Sequence, residues 1–125
     1  MKDFIATKKA PQAIGPYSQA VLAGDTLYIS GQTPLVPETM KIVGTDVLGQ
    51  TKQCLNNILA IAEAAGFKKE DIVKCGVFLK DMNDFKEMNG VYLEFFGDHK
   101  PARVTVEVSR LPLDALVEID AIAVK

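Results

Sequence analysis

Between Asp46 and Ala65 the apolar residues Leu48, Thr51, Leu55, Ile58, Ala62 and Ala65 recur at steps of three and four, with Thr51 the weakest member. That spacing is the period of an amphipathic helix. Thr45 or Asp46 can cap its start, and Gly66 supplies a C-terminal stop. A second helix is predicted from about Asn83 to Phe96, with Phe85, Met88, Tyr92 and Phe95 on one stripe. Asp84 and Glu87 fall in its first turn, where the helix dipole favours acids. Both stripes read as core and not as a cofactor box. Elsewhere the residues alternate or run apolar, which predicts strands at roughly 3–6, 19–23, 26–31, 71–80, 102–109 and 116–124. The order is strands, helix, strand, helix, strands. It predicts one α+β domain over residues 1–125, a mixed β-sheet with two helices packed on one face.

Strand alternation assigns each side chain to a face. In 102–109 the set Val104, Val106 and Val108 suits the helix layer, which turns Arg103, Thr105, Glu107 and Ser109 the other way. In 116–124, Val117, Ile119, Ala121 and Ala123 suit the helices, leaving Leu116, Glu118, Asp120, Ile122 and Val124 opposite. In 26–31, Leu27 and Ile29 go inward, with Tyr28 and Ser30 opposite. Ser30, Arg103, Thr105 and Glu118 are therefore expected together on the helix-free face. Leu116, Ile122 and Val124 on that face are poor company for water, and a partner subunit is the simplest cover.

Composition narrows the function. The 125 residues are 48% hydrophobic and 24% charged, as in a soluble globular chain. The net charge of −2 and the scattered lysines, with Lys8-Lys9 and Lys68-Lys69 the only basic doublets, give no footprint for nucleic acid. No run is long and apolar enough for a membrane span and no signal-peptide pattern opens the chain, so a cytoplasmic location is expected. Cys54 and Cys75 lack metal-ligand spacing and read as reduced, packed thiols. His99, the only histidine, has no neighbouring Cys or His to complete a zinc site. It would also have to serve any Ser-His-Asp or Cys-His mechanism alone, which makes metal hydrolases and thiol proteases poor readings. No metal or cofactor is expected.

Two charged residues stand out. Arg103, in Pro101-Ala102-Arg103 at the start of a valine-rich strand, is either a surface or salt-bridging arginine or a bidentate carboxylate clamp. Glu118, an acid inside an apolar strand, is either an exposed or ion-paired charge or a group that positions a water and passes a proton. Ile14-Gly15-Pro16-Tyr17 is a Gly-Pro turn followed by a hydroxyl-bearing ring. Ser30-Gly31-Gln32 ends a strand at a glycine that permits close backbone approach. Asn89, within the second helix, carries the weakest signal of the group.

Together these pieces resemble the RidA/YjgF family. The resemblance rests on Ala13-Ile14-Gly15-Pro16-Tyr17-Ser18-Gln19-Ala20, on Ile29-Ser30-Gly31-Gln32, and on Ala64-Ala65-Gly66 followed by Asp71-Ile72-Val73-Lys74. Its most specific part is 101–108, from Pro101-Ala102-Arg103 to Val108, with Leu111-Pro112 and Val117-Glu118-Ile119-Asp120-Ala121-Ile122-Ala123-Val124. It covers essentially the whole chain. The resemblance implies a chorismate-mutase-like (YjgF-like) fold, a homotrimer with sites at the subunit interfaces, and no metal. It implies hydrolysis of 2-imino acids and their enamine tautomers, such as 2-aminoacrylate and 2-iminobutanoate, to 2-keto acids and ammonium. Arg103 would then clamp the substrate carboxylate and Glu118 would orient the attacking water. Tyr17, Ser30 and Asn89 would line the pocket, and the Thr105 backbone would contact the reacting end. Thr105 stands where many relatives have Cys, and the loop 98–100 before Pro101 is short. The competing readings are a non-catalytic trimer that binds 2-keto acids or small carboxylates and an RNA-acting protein. The first does not need Glu118; the second is disfavoured by the acidic balance.

Overall fold

The computed structural model describes residues 2–125. One six-stranded sheet carries the fold. Its strands are β1 (Lys2–Ile5), β2 (Ala20–Ala23), β3 (Thr26–Gln32), β6 (Ile72–Leu79), β7 (Ala102–Glu107) and β8 (Val117–Val124), in the order β1-β2-β3-β8-β6-β7. All neighbours are antiparallel except β6 and β7, which run parallel. Parallel neighbours need a crossover, and the second helix supplies it. A two-stranded ribbon, β4 (Leu35–Val36) with β5 (Lys41–Ile42), lies outside the expected strands. Its strands are too short for alternation to register.

Helix α1 (Val47–Ala64) starts where Asp46 accepts a hydrogen bond from the Gly49 N–H at 2.8 Å. It stops in a Schellman arrangement: Gly66 takes φ 85°, its N–H reaches Glu63 O, and the Phe67 N–H reaches Ala62 O. The face of α1 bearing Cys54, Leu55, Ile58, Ile61 and Ala62 packs on Leu27, Ile29, Val117 and Ile119 of the sheet. Helix α2 (Phe85–Phe96) follows a single 3₁₀ turn, Met82–Asp84. Its buried line is Met88, Tyr92 and Phe96. Phe85 and Phe95 flank that line and are more exposed, so the core stripe is narrower than the sequence suggested.

Both helices lie on one face, as expected, and β8 and β3 distribute their side chains as the alternation required: Leu27, Ile29, Val117, Ile119, Ala121 and Ala123 are all buried. The assignment for β7 is reversed. Cys75 pairs with Arg103 and Val77 with Thr105 across the parallel β6–β7 ladder. Cys75 and Val77 are fully buried under the helices, so Arg103 and Thr105 share that face. Val104 and Val106 turn to the helix-free side, where they are 47% and 38% exposed. The expectation took the most apolar set as the inward one. On an edge strand whose other face is also apolar, that rule loses its force. Leu116, expected on the helix-free face, instead packs against the core.

Candidate active site

The reversal of β7 separates the candidate residues into two groups on opposite faces of the sheet. The first lies between α2 and β7. Arg103 Nη1 donates to Asn89 Oδ1 at 2.7 Å. Its guanidinium carbon stands 4.7 Å from the centre of the Tyr92 ring and 5.6 Å from that of Phe85. One amide oxygen and two ring faces thus orient the fork, and all three come from successive turns of α2. The only ion pair among the described residues is the exposed Arg110–Asp114 contact at 3.7 Å. Arg103 therefore has no acidic partner among the described residues. It is held by a neutral oxygen, so its charge is not offset by a neighbouring carboxylate.

Beneath it, the Tyr92 hydroxyl and Thr105 Oγ1 are buried without hydrogen-bond partners. Burial holds the Tyr92 phenol far above its ordinary value, and the neighbouring Cys75 thiol adds to this. Burial likewise pushes the Cys75 thiol up to about 11. Both groups stay neutral, so the floor under Arg103 offers no competing charge. The backbone of β7 adds a further feature. Val108 N–H bonds back to Leu79 O on β6. Because N–H and C=O directions alternate along a strand, the peptide groups of 104 and 106 also face β6, while those of Arg103 and Thr105 face the open edge of the sheet.

The second group lies on the helix-free face, around Glu118 of β8. A Cβ on Gly31 would fall on Oε2 of Glu118, so any larger residue there would push the carboxyl out of this position. The register between β3 and β8 shifts between Ile29 and Gln32, and this irregularity brings Gly31 over the acid. Burial raises the Glu118 pKa, and the negative charge of nearby Asp120 raises it further. Asp120 is itself engaged by the Gly76 N–H at 2.8 Å. Ser30 Oγ donates to Ser18 O at 2.6 Å, and Ser30 N–H to Gln19 O at 2.9 Å. Ser30 thus ties down the segment that carries Tyr17. A small cavity of about 200 Å³ is lined by Tyr17, Gly31 and Gln32. Tyr17 itself is 53% exposed.

Within one subunit, then, Arg103, Asn89 and Thr105 come together, and Tyr17, Ser30 and Glu118 form a separate group. Two supporting residues escaped the sequence reading. Tyr92 was counted as core, although it also carries the guanidinium. Gln19 is buried and holds the loop before it, accepting from Thr7 N–H at 2.7 Å and donating to Pro11 O at 2.8 Å. A glutamine opening an apolar strand was the available signal. His99 takes no part in either group; its Nε2 is 2.6 Å from Ile72 O. Among the described residues no His, Cys, Asp or Glu cluster suited to a metal is found, and no helix is long and apolar enough to cross a membrane.

Comparison with known proteins adds the lineage. A family model described as Endoribonuclease L-PSP matches residues 7–125. The 2-iminobutanoate/2-iminopropanoate deaminase of Escherichia coli is 52% identical, covering 100% of this chain and 99% of that protein. The chain belongs to the RidA/YjgF family. Within the family it is 59% identical to a RutC family protein of Pyrococcus horikoshii, over 100% of this chain and 99% of the relative. Among solved RidA/YjgF structures, the E. coli YjgF gene product matches with a TM-score of 0.95 at 51% identity, covering 98% of each chain. E. coli TdcF, solved with bound serine, matches with a TM-score of 0.95 at 46% identity, again over 98% of each. The mixed sheet with its two helices is thus the family fold.

Proposed function

We propose that this protein hydrolyses reactive 2-imino acids and their enamine tautomers to 2-keto acids and ammonium, at sites completed by two copies of the chain. The observation that carries the reading is the Arg103 fork, which has no acidic partner and is oriented by Asn89 and Tyr92 beside the open edge of β7. A planar guanidinium with free donors matches a carboxylate, and every 2-imino acid has one. The deaminase name of the E. coli relative supports the same chemistry.

The second half of the site is Glu118, and it must come from elsewhere. Glu118 and Arg103 lie on opposite faces of one sheet, so one subunit cannot place both against a small substrate. A neighbouring copy that lays its Tyr17–Gly31–Glu118 face against the β7 edge brings the two groups together. The same contact covers Val104 and Val106, the exposed apolar residues at that edge. It also gives the outward peptide groups of Arg103 and Thr105 something to face. A cyclic homotrimer, with three equivalent contacts, satisfies these requirements with one interface type.

The reaction needs little else. The imine carbon of R–C(=NH)–COO⁻ is already electrophilic, so no covalent nucleophile is required. Arg103 holds the carboxylate and thereby fixes the position of that carbon. Glu118 orients a water against it, and the new C–O bond forms as the nitrogen takes up a proton. The tetrahedral carbinolamine then loses ammonia, the C–N bond breaks, and the keto acid remains. A raised pKa lets the Glu118 carboxyl carry a proton closer to neutrality than an ordinary glutamate does, which suits a group that returns a proton to the departing nitrogen. Positioning and acid–base help together supply about 10²–10⁴-fold.

The test is a coupled assay in which a dehydratase supplies 2-aminoacrylate and pyruvate formation is followed. Wild-type protein is expected to accelerate pyruvate release. Arg103→Lys, which keeps the charge and loses the fork, is expected to lower kcat/KM by about 10²-fold. Acceleration unchanged in Arg103→Lys contradicts the clamp. The name of the matching family model suggests an RNA-cleaving reading, but the acidic balance and the absence of a basic run in the sequence give it no support.

A further inference from the structure

Glu118 has a second acid beside it. In Val117-Glu118-Ile119-Asp120-Ala121 the acids alternate with buried apolar residues, so both carboxyls leave β8 on the helix-free face. Side chains two residues apart on one face of a strand start about 7 Å from each other. Both acids are half-buried, where each makes the charged form of the other less favourable. No cation within ion-pair reach offsets them, because the only ion pair among the described residues is Arg110–Asp114.

The strands on either side of β8 make room for both acids. Gly31 of β3 leaves the space that Glu118 fills, and Gly76 of β6 does the same for Asp120. Gly76 pairs directly with Asp120 in the β6–β8 ladder, and a Cβ there would fall against Oδ1. Its N–H donates to that oxygen at 2.8 Å. Glycine weakens a strand and marks a close approach. Here it lets one aspartate lie on the sheet and be fixed by the backbone. The other groups around Glu118 do not cancel the Asp120 charge. Cys54 of α1, beneath β8, is kept a neutral thiol by burial. Phe78 of β6 stands opposite Glu118, and Lys74 and Lys80 on either side of it in sequence pair with neither acid. From β3, Tyr28 and Ser30 share the face, and Ser30 Oγ is bonded to Ser18 O. In the shared site the neighbouring copy adds Arg103, whose charge the substrate carboxylate offsets.

We infer that Asp120 is a positioning residue of the proposed active site: pinned to Gly76, it keeps a fixed negative charge beside Glu118 and so governs the proton that Glu118 exchanges with substrate. The inference rests on the reading of Glu118 as the acid–base group. In that reading Glu118 gives a proton to the nitrogen as the C–N bond of the carbinolamine breaks. It takes one back from the carbinolamine hydroxyl as the C=O bond forms. A group that does both works best when neither of its forms is strongly favoured near neutral pH. Burial lifts the Glu118 carboxyl above the ordinary glutamate range, and the Asp120 charge adds to this. Asp120 acts through Glu118 and does not contact the substrate.

Asp120→Asn removes the charge and keeps an oxygen for the Gly76 N–H. Asp120→Ser does so with a shorter side chain and keeps the test open should the first variant fold poorly. Two readouts are taken on each purified protein. The Glu118 carboxyl is titrated by NMR of protein labelled at the glutamate carboxyl carbons, its signal assigned by its loss in Glu118→Gln. The pH profiles of kcat and KM are measured with 2-aminoacrylate, the supplying dehydratase being in excess at every pH. Without the neighbouring charge Glu118 ionises more readily. Its titration is therefore expected about 0.5–1.5 pH units lower in both variants, the range for unit charges about 7 Å apart in a partly solvated site. The limb of the kcat profile that Glu118 governs is expected to move down with it, while KM stays within about twofold of wild type. A titration that neither variant lowers overturns the inference and leaves the deaminase reading standing. So does a kcat limb that stays in place while the titration moves. A lowered titration in a protein whose wild type turns over no imine overturns the deaminase reading, and the role of Asp120 in it.

Discussion

Arg103 shows how much a single contact can decide. A guanidinium satisfied by a carboxylate within its own subunit would be structural, whereas one held by Asn89 Oδ1 at 2.7 Å keeps its charge available. Asn89→Asp tests this distinction. The new carboxylate would pair with Arg103 in place and compete with substrate for the fork, so KM is expected to rise by about tenfold or more with little change in thermal stability. An unchanged KM in steady-state kinetics would mean that the fork is not where substrate binds. Thr105 makes a complementary case. Its hydroxyl is buried without a partner, while its peptide groups face the open edge. Thr105→Val keeps the shape and removes the unsatisfied oxygen, which costs about 1–3 kcal/mol when left unpaired. The variant should retain kcat/KM and unfold at the same or a higher temperature; a large loss of activity would assign the function to the hydroxyl instead of the backbone.

At the scale of elements, the site depends on one local irregularity and one ladder. The shift in the β3–β8 register places Gly31 over Glu118, where a methyl group would displace the carboxyl. Gly31→Ala is therefore expected to cut kcat by about 10²-fold, the cost of misplacing a catalytic group by about an ångström, while circular dichroism and melting temperature stay near wild type. Normal turnover would show that Glu118 acts from another position. The same elements show what sequence could and could not reveal. Both helices and six strands were legible because each repeats its period over enough residues, and the ends of α1 were legible from Asp46 and Gly66. The faces of β3 and β8 followed from alternation, since only one side of a central strand touches the helices. For β7 the alternation was clear but its sense was not: Val104 and Val106 form the more apolar set, yet the parallel register with Cys75 and Val77 turns Arg103 and Thr105 under α2. Register is a relation between strands distant in sequence, and no periodicity within 102–109 contains it. The ribbon of Leu35–Val36 with Lys41–Ile42 was missed for a different reason, because its two-residue strands are too short for alternation to register. Asn57 of α1 donates to Thr33 O and Leu35 O, a contact that crosses from helix to loop.

For the whole molecule, the separation of the two residue groups carries the argument for assembly. The apolar helix-free face already asks for a partner subunit as cover, and the proposed shared site adds a second reason. Arg103 and Glu118 point away from each other across a single sheet, so a site using both has to be shared. On the proposed shared site, exposed Val104, Val106 and Tyr28 would lie in the interface, each worth up to about 1.5–3 kcal/mol if fully buried. The decisive measurement mixes two inactive proteins. Arg103→Ala and Glu118→Gln chains are coexpressed in equal amounts, purified as mixed oligomers and assayed for 2-aminoacrylate hydrolysis. If every site takes Arg103 from one copy and Glu118 from the next, random assembly leaves about a quarter of the sites intact, and about a quarter of wild-type activity is expected from two chains that are each inactive alone. If each site belongs to a single chain, no mixture contains an intact one, and activity that stays at the level of the separate variants would contradict the shared site.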